Sequence, residues 1–360
     1  MIDRDDLRAA VAAGTITEAQ AARIVDLSAM RRDARVGASG ADEPFALFRG
    51  FNEIFILVGL AILGFGWLGF WAIAAGTSNG FGAVWTIGTL CTFVVVGLLS
   101  EYFVRRRRMV APAIALSIAW TVAAGWLWLV QLESFTILGG IRPGRVALVA
   151  ALTGATVFAY WLRYRVPFAM ALIALAAFAT VLFLLSAVSG ETIASAEVFL
   201  LSGTGPFAWG TILLGIGLFA MAMRFDMSDP HRMTLRSANG FWLHVVAAPA
   251  IVNTVAITLL AGGEGDPAAW RMLVLSAFLV AMALIAVIID RRSSLVSSAG
   301  YIVVLAGIAG SGIGVVTSVL AIGVALLILG AQWVRIRAAL LRRVGGWLPL
   351  DRLPPAHFTE

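Results

Sequence analysis

The sequence contains no lysine, one cysteine and only three histidines among its 360 residues. Cys91 alone cannot supply a disulfide framework or a thiolate metal site. The lack of lysine excludes a phosphate-binding GxxxxGK[ST] loop, and the chain has no HExxH or GxSxG motif. We therefore predict no metal, no other cofactor and no catalytic residue.

Charge is also scarce. Charged residues make up 13% of the chain and hydrophobic residues 61%, against roughly 25% and 45–50% in soluble proteins. Such a chain cannot cover its apolar surface in water, so we expect the lipid bilayer to be its main partner. The isoelectric point near 10.6 does not indicate a nucleic-acid partner, because the arginines are spread over short loops between apolar segments.

Long apolar segments predict an all-α, polytopic transmembrane helix bundle with about ten spans. Residues 295–334 carry no charge and would form a helix of about 60 Å, twice the bilayer core, so we divide them at Gly310–Gly312. Two short spans or a re-entrant pair both fit this last region. The predicted spans are residues 54–75, 81–104, 109–132, 146–162, 166–188, 207–223, 241–261, 270–289, 295–309 and 313–334.

The arginine distribution orients the bundle. With the N-terminus inside, every arginine except Arg142, Arg145 and Arg271 lies on the inner side, which satisfies the positive-inside rule. Nine spans would place Arg335 and Arg337 outside, so ten spans with both termini in the cytoplasm is the better prediction.

Polar segments flank the bundle. Residues 1–35 predict a small cytosolic helical hairpin, in which Gly14 ends the first helix and Thr17 and Gln20 have the spacing of a capping box. Residues 36–50 form a linker and residues 51–337 the transmembrane bundle. Residues 338–360 predict an amphipathic tail on the inner leaflet, with an unstructured tail as the alternative.

Ionisable side chains inside a bilayer are costly, so each is a candidate functional residue. This chain has few, and none lies near the middle of a span. The candidate polar site at the cytoplasmic edge comprises Asn52, Glu53, Glu101, His244 and Asp290.

Purely structural roles compete with this interpretation. Glu101 precedes Arg105 by four residues and can pair with it. Asp290 can be neutralised by the adjacent Arg291 and Arg292, and Glu53 suits the positive N-terminal end of its own helix. His244 has no local partner in the sequence.

The seventh span contains Pro249, which frees a backbone carbonyl and predicts a kink. Asn253, Thr254 and Thr258 follow near the midplane. These four residues are a candidate cavity lining. Alternatively, the polar groups bond freed carbonyls or neighbouring helices.

The segments DLRAAVAAGTITEAQAARIVDLS, FNEIFILVGLAIL, RMTLRSANGFWLHVVAAPAIV and DRRSSLVSSAGYIVV resemble the DUF2157-like family of bacterial membrane proteins. The resemblance implies a location in the bacterial inner membrane. It implies no activity and no catalytic residue.

Two functions compete. The first is a non-enzymatic membrane protein whose residues 1–35 contact a cytosolic protein. The second is a transporter or flippase for a neutral or lipidic molecule, because ten spans divide into two halves of five, as in inverted-repeat transporters. A membrane enzyme using the edge residues is third, and it would require His244 to lie beside Glu53 or Glu101. The oligomeric state stays open.

Overall fold

The computed structural model describes residues 4–32, 51–78, 80–132, 135–136, 140–232, 234–260, 269–291, 313–347 and 349–354. The helices of these residues are α1 (Arg4–Ala12), α2 (Glu18–Arg32), α3 (Phe51–Gly76), α4 (Phe81–Ser100), α5 (Val110–Gln131), α6 (Pro143–Tyr164), α7 (Phe168–Ser189), α8 (Ser195–Leu200), α9 (Pro206–Met227), α10 (Leu235–Leu260), α11 (Ala269–Ile288) and α12 (Ile313–Val344).

Shorter elements join these helices. A π-helical segment, Glu101–Arg106, extends α4, and 3₁₀ turns at Gly345–Trp347 and Leu350–Arg352 follow α12. The strands β1 (Phe135–Thr136) and β2 (Gly140–Ile141) form a minimal antiparallel ladder, in which Phe135 pairs with Ile141.

Eight helices in the described ranges are long and apolar enough to cross a membrane. They are Asn52–Gly76, Gly82–Arg106, Val110–Gln131, Pro143–Tyr164, Phe168–Ser189, Pro206–Met227, Leu235–Leu260 and Gly323–Val344. The apolar part of α11, Leu273–Ile288, is shorter, and the predicted span 295–309 lies outside the described residues. The chain is thus helical with the composition of a multi-pass membrane protein, and the total of about ten spans stays a prediction.

The N-terminal hairpin forms as its local sequence predicts. Thr17 N–H donates to Gln20 Oε1 at 2.8 Å, and Gln20 N–H donates to Thr17 Oγ1 at 3.2 Å, so the capping box is confirmed. Gly14 adopts the left-handed φ of +71° that ends α1. Leu7 and Ala21 are buried between α1 and α2.

The chain separates into two compact units. The α3–α7 unit comprises Phe45–Val198 with Trp209–Thr211, and the hairpin unit comprises Met1–Pro44, Phe199–Ala208 and Ile212–Glu360. The single bundle of residues 51–337 stays a prediction. Its C-terminal part groups with the N-terminal hairpin.

The α3–α7 unit packs mainly through α6 and α7. One core cluster consists of Ala113, Val157, Tyr160, Val166 and Ala169. The Tyr160 hydroxyl is buried in this cluster and shares a 2.9 Å hydrogen bond with the hydroxyl of Ser100. By contrast, the most apolar window of α3 contains no buried residue, so this helix is expected to face lipid along most of its length.

The hairpin unit is centred on α10. In this helix 61% of the apolar window is buried, the largest share of any candidate span in the described ranges. Small residues allow α9 and α10 to approach closely. A Cβ added to Gly215 of α9 would lie 2.7 Å from Ile251 and 3.4 Å from Ala250 of α10. The helix also contains Pro249 and carries polar side chains at both ends.

Candidate functional site

The candidate site lies in the hairpin unit, where α9 ends and α10 begins. Ser237, Gly240 and His244 share one face of α10, because residues three, four and seven apart align on a helix. Asp226, in the last turn of α9, faces them. A Cβ on Gly240 would overlap the Asp226 carboxylate, so the glycine provides the space that this side chain occupies.

Asp226 is the centre of a buried group that we call the Asp226 cluster, consisting of Asp226, Ser237, His244 and Arg291. His244 Nε2 lies 3.0 Å from Asp226 Oδ2. The Arg291 guanidinium donates to both carboxylate oxygens, with Nε at 3.1 Å from Oδ2, and to the Ser237 carbonyl at 2.9 Å. His244 is fully buried and Arg291 is 1% exposed, so the ion pair is shielded from solvent and lipid.

This geometry defines the state of His244. A carboxylate only accepts hydrogen bonds, so Nε2 must be the donor and carry the proton. Nδ1 is buried and has no hydrogen-bond partner within the described residues, and the Phe219 and His244 ring centroids are 5.2 Å apart in an edge-to-face arrangement. The cluster joins the end of α9, the start of α10 and the residues after α11 through buried hydrogen bonds.

A second contact joins the N-terminal hairpin to the same end of α10. Asp229 Oδ2 accepts from Thr234 N at 2.9 Å and from Ser237 N at 3.3 Å, and so caps α10. Glu18, the first residue of α2, is hydrogen-bonded to Asp229 and accepts from the His231 N–H at 3.2 Å. Burial and the neighbouring Asp229 carboxylate raise the pKa of Glu18 from 4.5 to about 7.

Asp290 organises an adjacent group, the Asp290 cluster, with Arg232, Trp333 and Arg337. Trp333 Nε1 donates to Asp290 Oδ1 at 2.6 Å, and Arg232 Nη2 lies 3.4 Å from Oδ2. Arg337 approaches Oδ1 at 4.0 Å and donates to the Pro354 carbonyl at 2.6 Å. The cluster thus ties the end of α11 to α12 and to the segment after it.

The pairing of Asp290 with Arg292 stays a prediction, whereas Arg291 has another partner. The sequence suggested neutralisation by Arg291 and Arg292, but Arg291 pairs with Asp226 instead. Asp290 has a left-handed φ of +57°. Arg292 lies outside the described residues.

The other edge candidates lie in the α3–α7 unit and have partners of their own. Glu53 is 5% exposed and its Oε2 accepts from the Ala111 N–H at 3.2 Å, at the N-terminus of α5. Glu101 pairs with Arg105 at 2.5 Å, as its spacing predicts, and with Arg163 at 3.1 Å. Asn52 is exposed. Glu53 and Glu101 thus belong to separate polar groups.

The polar residues of the seventh predicted span bond a neighbouring loop. Asn253 Nδ2 donates to the Leu200 carbonyl at 2.5 Å, and Thr254 Oγ1 accepts from the Gly203 N–H at 3.2 Å. Thr258 donates to the Thr254 carbonyl within its own helix at 2.7 Å. Pro249, Asn253 and Thr254 are all buried. These bonds fix the segment after α8 against α10.

Two residues of the site escaped sequence reasoning. The sixth span was expected to end at residue 223, which left Asp226 in a loop, and Arg291 was expected to neutralise the adjacent Asp290. The available signal was the segment MRFDM, which continues α9 by one more turn and carries Asp226 inward.

Within the residues that the structure describes, no group of three or more His, Cys, Asp or Glu side chains could hold a metal ion. No protein family, no curated protein and no solved structure matches this chain. The resemblance to the DUF2157-like family stays a prediction, and function rests on the geometry alone.

Proposed function

We propose that this chain is a non-enzymatic integral membrane protein whose N-terminal hairpin lies in the cytoplasm, contacts a partner protein and couples that contact to the bundle. The single observation that carries the proposal is a continuous series of polar contacts from the hairpin to His244. A bacterial inner membrane with both termini inside is the location that the arginine distribution and the family resemblance favour.

The series begins at Glu18 and proceeds by direct bonds. Glu18 contacts Asp229, and Asp229 accepts from Ser237 N. The Ser237 carbonyl accepts from Arg291, which is bound to Asp226. Movement of the hairpin would therefore change the cap of α10, and with it the position of the buried ion pair.

The hairpin also has a surface for a partner. Its small core uses Leu7 and Ala21, whereas Ile24 of α2 remains 36% exposed. A partner that binds this side of α2 would compete with, or reinforce, the bond between Glu18 and the loop after α9. Binding of the partner to the hairpin would then change the first contact of the polar series, the one made by Glu18.

Hydrogen exchange tests the coupling. In purified full-length protein, Glu18→Ala should increase amide exchange in residues 235–245, because the cap of α10 loses its support from the hairpin. Asp5→Ala, which changes a carboxylate of the same hairpin on α1, is the matched control and should leave this exchange unchanged. Equal exchange in Glu18→Ala and wild type would contradict the coupling.

A second experiment tests the partner. A photoreactive amino acid at position 24 should give a cross-linked product with another polypeptide in native membranes, and deletion of residues 1–44 should abolish function without loss of membrane insertion. Full complementation of a deletion strain by that truncated chain would overturn the proposed role of the hairpin.

The division into two compact units favours one other function, that of a transporter or flippase for a neutral or lipidic molecule. The first five predicted spans fall in the α3–α7 unit, and the last five belong almost entirely to the hairpin unit. This is the five-plus-five division of inverted-repeat carriers. Reconstituted protein should then accelerate the transbilayer movement of a labelled lipid or the efflux of a neutral solute, and failure with both classes would reject this function.

A further inference from the structure

A groove of about 470 Å³ lies in the α3–α7 unit, lined by residues of α3, α4 and α5. The volume falls within the ~300–1,000 Å³ of typical ligand sites. The lining residues of α3 extend from Leu57 to Trp71. These two residues are fourteen positions apart on α3, a distance of about 21 Å along a helix. The groove is therefore elongated along the helices.

The lining has almost no free hydrogen-bonding group for water. Its two hydroxyl side chains, Thr89 and Thr92, each donate to a carbonyl of their own helix at 2.8 Å. Thr92 in addition accepts from the indole N–H of Trp67 at 2.8 Å. The remaining lining residues are alanine, glycine, leucine, isoleucine, valine and tryptophan. A dry, elongated site of this kind fits a hydrocarbon chain.

The indole N–H of Trp71 at the groove is unsatisfied. Trp71 Nε1 is buried and has no hydrogen-bond partner within the described part of the chain. The indole ring covers Gly88 of α4, where an added Cβ would come within 2.6 Å of it, so the ring is held in place. Because a buried N–H without an acceptor is costly, this atom indicates a ligand that carries a hydrogen-bond acceptor.

The depth of Trp71 indicates the kind of acceptor. It lies five residues before the end of α3, or about 7.5 Å along the helix axis. Tryptophan rings prefer this level, where the hydrocarbon core meets the polar region of the bilayer. The ester carbonyls of glycerolipids lie at the same boundary.

We propose that the groove binds one acyl chain of a glycerolipid, whose ester carbonyl accepts a hydrogen bond from the Trp71 indole N–H. The acyl chain lies between α3 and the helices α4 and α5. Its presence explains why the apolar window of α3 contains no buried residue although the helix flanks a cavity. The site is independent of the hairpin and of any transport activity.

The groove itself is tested with a matched pair of glycines on α3. Gly64 lines the groove and Gly66 does not, and a Cβ at either position meets nothing within 4 Å. Full-length protein is reconstituted in phosphatidylcholine vesicles containing diacyl phosphatidylglycerol with a photoreactive group in the acyl chain. Gly64→Leu should lose most labelling of α3 to α5, whereas Gly66→Leu should label as the wild type does. Equal labelling of both variants would mean annular lipid only and would overturn the proposal.

The hydrogen bond is tested by removing each partner. Wild type should prefer diacyl over dialkyl-ether phosphatidylglycerol by roughly two- to tenfold, the usual contribution of one neutral hydrogen bond. Trp71→Phe keeps an aromatic ring without the N–H, so it should bind both lipids equally. Trp270→Phe, an exposed tryptophan of α11, is the control and should keep the preference. Equal binding of the two lipids by wild type would overturn the assignment of the carbonyl and favour a hydrocarbon ligand without an ester.

Discussion

The two compact units use polar side chains in opposite ways. In the α3–α7 unit, Glu101 forms its ion pairs at the surface, with 41% of its side chain exposed, and the groove beside α3 is almost free of polar groups. In the hairpin unit, Asp226 and Arg291 form an ion pair that is nearly inaccessible, with 7% and 1% of their side chains exposed. The first unit thus presents apolar surface suited to lipid, whereas the second encloses charge.

This difference has an energetic consequence. An exposed ion pair contributes little because solvent competes for both partners, typically about 0.2–1 kcal/mol. A buried pair is costly to assemble and very costly to break, because the remaining charge has no compensation. We expect the buried ion pair to control the stability of the hairpin unit, and the exposed pairs of Glu101 to contribute little to that of the α3–α7 unit.

The largest effect is predicted for Arg291→Met. It leaves the Asp226 carboxylate buried without its cation, which should destabilise the protein by about 3–5 kcal/mol. Arg163→Met, which removes one cation from the exposed Glu101, is the matched variant and should cost about 0.2–1 kcal/mol. Thermal unfolding in detergent measures both changes. Similar losses for the two variants would remove the distinction between the units.

A double variant sharpens this prediction. In Asp226→Leu with Arg291→Met, neither charge remains, and the hairpin unit should recover part of the lost stability. His244 then lacks its acceptor, so recovery should be incomplete. A double variant less stable than Arg291→Met alone would contradict the view that the uncompensated carboxylate is the main penalty.

Gly240→Ala is expected to have the next largest effect. Its Cβ would overlap Asp226 Oδ1 and come within 3.1 Å of the Ala222 carbonyl, so α9 and α10 must separate. Overpacking of this kind costs about 1–3 kcal/mol. Gly217→Ala on α9 is the control, because its Cβ meets nothing within 4 Å. The same unfolding measurement should show Gly217→Ala to be as stable as wild type or slightly more so.

The sequence could predict features fixed by local spacing. The capping box of Thr17 and Gln20 and the pair of Glu101 and Arg105 depend on residues three or four positions apart, and both form. Arg291 and Asp226 are 65 positions apart, and their pairing depends on where α9 ends and how α11 turns at Asp290. No spacing rule gives such a contact.

The groove escaped prediction for a related reason. Apolar residues facing lipid and apolar residues lining a groove have the same composition, so α3 reads simply as a transmembrane span. Only packing shows that Gly64 and Trp71 line a cavity. The position of the indole N–H relative to possible acceptors likewise depends on the neighbouring helix.

A smaller effect, dependent on pH, is predicted for docking of the hairpin. The pKa of Glu18 is raised to about 7 from 4.5, so the docked hairpin binds a proton more readily than the free one. Docking should therefore be strongest below about pH 4.5 and be lost as the pH rises through about 7. The side chain is 25% exposed, so solvent reduces the effect.

Spin labels on cysteines at Ala12 and Leu235, both exposed, should report a wider distance distribution at pH 8 than at pH 5 in a protein with Cys91 replaced. Glu18→Gln should remain docked at both values. Asp229, His231 and Arg236 face Glu18. His231→Gln removes the imidazole that lies 3.7 Å from the Glu18 carboxyl and should keep the pH dependence. Identical distributions for wild type at both pH values would refute the prediction.

The smallest effect is expected for Glu53→Gln in the α3–α7 unit. The carboxylate accepts from the Ala111 N–H at the positive end of α5, where an anion contributes about 0.3–1 kcal/mol. Glutamine keeps an acceptor oxygen and loses only the charge, so the unfolding temperature should fall slightly and the fold should be retained. Glu53→Leu removes the acceptor as well and should cost more, because the Ala111 N–H becomes unsatisfied in a buried position. If Glu53→Gln were as destabilising as Arg291→Met, Glu53 would have to carry a buried charge interaction equal to that of Asp226. The contrast between an apolar unit and a unit that encloses charge would then fail.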